Sequence, residues 1–234
     1  MVLYHFLKMK WGLAALKDQR LKQAIITELN DPFEHIGVDL SDKNIRKSFI
    51  TLRTELAKSF GIICMSEKMS NPLLWSHYTD KHKGLCLAFD FSKSPQDLLL
   101  PVNYLDQRIP MDKNKLRHFL TKASIPETME KLLAKFSDWR YEKEVRFYAS
   151  LTEKDPITGH YYLGFNKMAY LSKVYIGAEA KVSKADMEFA MSAFPNVEVE
   201  KVRIGFQNFE IVRQQDKSRW YDKSADYKSY FEVV

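Results

Sequence analysis

The chain has 234 residues, 45% hydrophobic and 13% aromatic, which is enough for one sizeable core. Its 36 basic and 30 acidic residues leave a formal charge of +6, mild enough to suit an anionic small molecule or a nucleic acid without requiring either. No apolar run approaches the roughly 18 residues of a membrane span, and no signal peptide, flexible linker or internal repeat is seen, so a single cytoplasmic domain over residues 1–234 is expected, with no membrane partner.

The first element, VLYHFL at 2–7, is a strand of β-branched and aromatic residues carrying Tyr4 and His5. GLAALKDQRLKQA, 12–24, has the composition of a helix. The turn residues Asn30, Asp31 and Pro32 then form an ordered loop, NDPFE, that presents its side chains. From 44 to 60 apolar residues recur every three or four positions, predicting an amphipathic helix capped by Ser41 or Asp42 and stopped by Gly61. GIICMS is a short buried strand ending at Ser66. Pro72 opens a short helix, LLWSHYTD, that carries Trp75, His77 and Tyr78, with His82 just beyond. After Gly84, LCLAFDF is apolar on both faces and should be a central strand.

Further along, a short strand is expected within 100–106 and helices over 112–123 and 126–136. Period-two alternation predicts a strand over 138–150. YLSKVYIG is another strand, and Ser183 with Asp186 marks a capping box opening a helix through Phe194. VEVEKVRIG and FEIVR supply two last strands, and the segment from 218 to 234 has no assigned structure. Strands separated by unequal helices, with consecutive strands near the end, point to an α+β fold: a mixed or antiparallel β core with peripheral helices.

Cys64 and Cys86 both lie in apolar strand segments and read as buried thiols rather than a disulfide. His77 and His82 are spaced too widely for a zinc pair on one helix face and no Cys-x-x-Cys exists, so no metal is expected. On a strand, Glu142 and Glu144 project from one face beside Arg146. A guanidinium there can keep one carboxylate ionised while its neighbour is pushed up. The same spacing also fits a solvent-facing strand with its charges paired across to neighbours.

NDPFE, the strand CMS ahead of LLWSHYTDKHKGLCLAFD, and WRYEKEVR followed by LSKVYIG resemble a large bacterial family of unknown function over about residues 3 to 180. More distantly, the order of elements is similar to that of ADP-ribosyltransferases. That likeness implies a split β core and a set of roles: His5 with Tyr4 on the first strand, Ser66 ending a second, Tyr78 on the short helix and Glu144 of the E-x-E pair near the end. It further implies NAD as substrate, with a protein, a nucleic acid or water as acceptor, and an expected place among phage-defence genes. In such a site Tyr78 or Trp75 walls the nicotinamide ring, His5 and Ser66 donate to the ribose, Glu144 faces the developing cation, and Arg146 or another basic residue holds the pyrophosphate. Asn30, Asp31, His77, His82 and Glu142 complete the candidate set. Two other readings stand beside it: a non-catalytic nucleotide- or nucleic-acid-binding module, and a metal-independent hydrolase or nuclease using Glu142, Glu144 and His77.

Overall fold

The computed structural model describes residues 1–122, 134–223 and 225. In chain order the elements are β1 (Val2–Leu7), α1 (Met9–Asp18), β2 (Arg20–Lys22), β3 (Ala24–Ile25), α2 (Lys43–Ser59), β4 (Phe60–Ser66), α3 (Pro72–Tyr78), β5 (Leu85–Asp90), β6 (Leu99–Pro101), β7 (Asn103–Leu105) and α4 (Lys113–Lys122). They continue with β8 (Ala134–Phe136), β9 (Glu144–Ser150), β10 (Tyr162–Gly164), α5 (Phe165–Met168), β11 (Tyr170–Ile176), α6 (Lys184–Ala190), β12 (Glu198–Ile204) and β13 (Ile211–Arg213). This is the expected α+β class, a mixed sheet with peripheral helices. The chain divides into two compact units, one of Met1–Lys22, Met65–Gln96 and Lys154–Val234, the other of Gln23–Cys64 and Asp97–Glu153.

In the first unit the strands run β13-β12-β11-β5-β1, antiparallel except for the parallel pair β11–β12, and Ser66 at the end of β4 pairs with Tyr4. β5 is flanked by β1 and β11 and buried along Leu85–Phe89, as its two-sided apolar run requires. Trp75 of α3 packs with Cys86, Val202 and Ile211, joined by Tyr4, Phe6 and Tyr175. Gly84 leads into β5 where a Cβ would stand 2.0 Å from the Leu7 carbonyl oxygen, so only glycine lets the two backbones approach.

In the second unit β3 pairs antiparallel with β4, β4 neighbours β9, and β9 pairs antiparallel with β6; β7 and β8 form a separate parallel pair. The apolar stripe of α2 builds two small cores. Ile45 and Phe49 meet Val38 and Leu116, while Ala57 meets Ile26, Ile62 and Tyr148.

Several local signals act as expected. The Asp42 carboxylate accepts from the backbone N–H groups of Asn44 and Ile45, Pro72 opens α3, and Ser183 and Asp186 form a reciprocal capping box, while the cap of α3 at Asn71 is found only in the structure. Four expectations need correction. The helix over 12–24 is α1, which ends at Asp18 because Gln19 turns left-handed (φ 55°) and returns its N–H to Ala15 and Leu16. Residues 20–22 then extend to pair with β10. The helix expected over 126–136 lies outside the described residues up to 133, and 134–136 are β8. The strand over 138–150 begins only at Glu144; Ser137–Glu142 is a 3₁₀ turn, and Lys143, left-handed at φ 43°, redirects the chain. The helix opened by Ser183 stops at Ala190, not Phe194.

Candidate binding and catalytic site

The NDPFE segment folds as a tight turn. Asp31 accepts from the Phe33 N–H through its side chain (2.8 Å) and from the Glu34 N–H through its carbonyl (3.1 Å). Phe33 is left exposed, whereas Glu34 and the left-handed His35 (φ 61°) turn inward and are buried. Asn30, at the head of the turn, is exposed.

Inside, Glu34 meets two cations. Arg146, 1% exposed at the middle of β9, binds Glu34 through Nη2 and Glu144 Oε1 through Nε at 2.6 Å. The Lys135 ammonium of β8 lies 2.5 Å from Glu142, 3.1 Å from Glu144 and 3.3 Å from Glu34. Arg146 Nη1 sits 3.2 Å from His35 Nε2, which lies 3.4 Å from the Tyr148 hydroxyl. Tyr104 accepts the Glu144 backbone N–H at 2.8 Å, and the Cys64 thiol hydrogen-bonds the Glu144 carboxylate. Removing such charges from water costs several kcal/mol each, repaid only by this density of pairing.

The electrostatics follow from that pairing. Burial alone would raise the Glu144 carboxyl, but Arg146 and then Lys135 outweigh it and hold the group at about 2. Lys135 is likewise pushed above its usual value, against burial, by Glu144, Glu34 and Glu142. Burial, reinforced by Arg146 and Arg53, drives His35 well below 6.5, so it stays neutral. Burial carries the Tyr104 hydroxyl to about 12 and that of Tyr148 further up. The two acid-side shifts share one sign. Once unfolded, His35 takes a proton near 6.5 and Glu144 near 4.5, whereas in the folded protein both resist. The unfolded chain therefore binds more protons as pH falls, so this stability is complete above about pH 6.5 and declines below it, most steeply from 4.5 towards 2. A series of urea midpoints from pH 8 to pH 3 should show that decline; an unchanged midpoint between pH 7 and pH 4 would contradict it.

Beside the network lies a cavity of about 500 Å³, lined by Asp31 and Phe33, by residues 36–37 and 105–108, and by Ala134, Lys135, Phe136 and Trp139. Lys135 thus belongs both to the cavity wall and to the buried network, one side chain in front of Glu144. A small ligand fits such a space, and perturbed ionisable groups at a cavity wall are the usual mark of a site.

The candidate residues fall into two groups. Glu142, Glu144 and Arg146 come together in the second unit, and Asp31 lines the cavity whose wall shares Lys135 with them. The two glutamates do so through the break at Lys143, not by sharing a strand face, and Arg146 is spent on Glu34 and Glu144. The expected role of Arg146 as a pyrophosphate clamp conflicts with that burial.

In the first unit Tyr4 stands opposite Ser66 in the ladder, so their side chains share a face, while His5 alternates to the other face of β1. Ser66 accepts from the Lys68 N–H (3.1 Å) and closes the loop after β4. Trp75, expected as a ligand wall, is core instead: it is 0% exposed, its indole N–H donates to the Met69 carbonyl (2.8 Å), and Phe6 meets it edge-on at 5.4 Å. His77 is exposed and lies edge-on to half-buried Tyr78 at 6.3 Å. His82 ends a run of three left-handed residues with Asp80 and Lys81, and its buried Nδ1 has no hydrogen-bond partner among the described residues.

Sequence reasoning missed Glu34, His35, Lys135 and Trp139. Glu34 belongs to the NDPFE motif and Trp139 to WRYEKEVR, so both were in view. Lys135 carried no local signal at all.

Both cysteines are free thiols. Among the described residues no group of three or more His, Cys, Asp or Glu is placed to hold a metal, and no helix is long and apolar enough to cross a membrane. Residues 74–147 match the family described as "Protein of unknown function (DUF2971)", a shorter span than the 3 to 180 expected from the motifs. The segment from the α3 aromatics to Phe147 therefore carries that family's pattern. No curated protein and no solved structure matches the chain.

Proposed function

We propose that the protein is an NAD-consuming enzyme of the ADP-ribosyltransferase type, which cleaves the nicotinamide–ribose bond at the cavity of the second unit and passes ADP-ribose to a macromolecule. The observation that supports this reading is Glu144: a buried carboxylate held ionised immediately behind the wall of an aromatic-lined cavity. When the bond breaks, nicotinamide leaves with the electron pair and the ribose C1′ becomes oxocarbenium-like. A fixed negative group in a dry site stabilises such a cation without having to reorganise. The ring wall once assigned to Trp75 passes to Trp139 and Phe33, which line the cavity.

Incubation with NAD should release free nicotinamide, and Glu144→Gln, assayed below its own lowered melting temperature, should slow the release by about 10²-fold or more. If neither protein releases nicotinamide and NAD leaves the melting temperature unmoved, the transferase reading is wrong. Release that survives Glu144→Gln would keep the activity and remove Glu144 from it. One observation favours a binding module instead: Glu144 is already held by Arg146 on Oε1 and by Lys135 on Oε2. A rise in melting temperature with NAD but no nicotinamide release would mark that case. A toxic, defence-related role in the cytoplasm belongs to the same proposal, and its sign is a fall in cellular NAD on expression that Glu144→Gln abolishes.

A further inference from the structure

We propose that the cavity of the second unit selects a flat, delocalised cation, a pyridinium or a guanidinium group, over neutral and anionic rings of the same size. Its walls offer three aromatic rings, Phe33, Phe136 and Trp139. Two of these already meet the protein's own cations: the Arg108 guanidinium lies 5.8 Å from the Phe33 ring centre, and the Lys135 ammonium 4.9 Å from that of Trp139. Those are cation–π distances, so the rings are placed where positive charge is favoured.

The charges around the rings point the same way. Asp31 and Asp106 line the cavity, and Asp106 makes no hydrogen bond or ion pair among the described residues. The two cations of the wall are Lys135 and Arg108, and the Lys135 charge is consumed by Glu34, Glu142 and Glu144. Behind the wall, Arg146 pairs with Glu34 and Glu144. Set against Arg108, the two aspartates Asp31 and Asp106 leave the cavity wall with a net negative charge. An anionic ring would meet Asp31 and Asp106, a neutral one would gain only stacking, and a flat cation gains both ring faces and carboxylates.

The selectivity rests on the reading above only in taking this cavity as the ligand site. A pyridinium would be the charged ring of an oxidised nicotinamide nucleotide; a guanidinium would be an arginine side chain. The probes are 1-methylnicotinamide, methylated on the ring nitrogen, for the first, methylguanidine for the second, and nicotinamide as the neutral ring. Binding to the full chain is followed by the Trp139 indole N–H signal, identified by its loss in Trp139→Phe. At least one cation should bind about tenfold or more tighter than nicotinamide, and Asp106→Asn should narrow that ratio severalfold. Asp106 is exposed, so its removal leaves folding intact. The cation that binds names the source.

Equal affinity for nicotinamide and both cations overturns the proposal, as does a Trp139 signal that neither cation moves in a protein whose melting temperature is normal. Failure here is separable from failure of the glycosyl chemistry. Cation selectivity without nicotinamide release leaves the cavity assignment standing alone, and release without selectivity does the reverse.

Discussion

Replacing Arg146 by methionine should destabilise the protein by about 3–5 kcal/mol, because it strands Glu34 and Glu144 in a site that excludes water. The side chain is nearly the right length to fill its own volume, so the loss is electrostatic rather than a cavity effect. Urea unfolding measures it, with Lys113→Met as the exposed control, expected within about 0.5 kcal/mol of the parent. The sharper test adds Glu34→Gln and Glu144→Gln to Arg146→Met. Removing the whole set of partners should recover part of the loss, since the penalty comes from unpaired charges more than from missing attraction. A loss below about 1 kcal/mol for Arg146→Met alone would mean that water reaches these groups and that the network is a surface feature.

Trp75→Ala should cost about 3–5 kcal/mol, since the indole is the largest fully buried side chain and the centre of the cluster between α3 and the sheet of the first unit. It would also strand the Met69 carbonyl that the indole N–H satisfies. The same substitution decides between two roles for this residue. A core tryptophan loses stability and any ligand effect follows from that loss. A ligand wall would lose binding while the unfolding midpoint barely moved, and that outcome would return Trp75 to the site.

The stretch LLWSHYTDKHKGLCLAFDF shows where sequence reading works and where it stops. Pro72 opens α3 by local chemistry, and Gly84 followed by a two-sided apolar run yields a central strand; both were legible in the residues themselves. The crowding of Trp75, His77, Tyr78 and His82 suggested a ligand pocket, yet periodicity cannot say which aromatic turns inward. Trp75 went to the core because Phe6, Cys86, Val202 and Ile211, distant in the chain, close around it.

The charged motif shows the same division. The spacing of Glu142, Glu144 and Arg146 left two readings open, a shared site and a solvent-facing strand with its charges paired to neighbours, and their burial decides for the first. How they act was not readable, because alternation assumed a strand through 138–150, while the left-handed Lys143 breaks it and lets both carboxylates turn to one ammonium. By itself the sequence determined the α+β class, the cap of α2 to within Ser41 or Asp42, the Pro72 start of α3, the capping box at Ser183, the buried strands and the residues of the two charged motifs, since each of these depends on neighbours within a few positions. Only the tertiary structure decided that Lys135 sits among Glu34, Glu142 and Glu144, and that the NDPFE turn and the 137–142 turn wall one cavity. Charge pairing and enclosure depend on distances through space, and local patterns of hydrophobicity and turn chemistry carry no record of those distances.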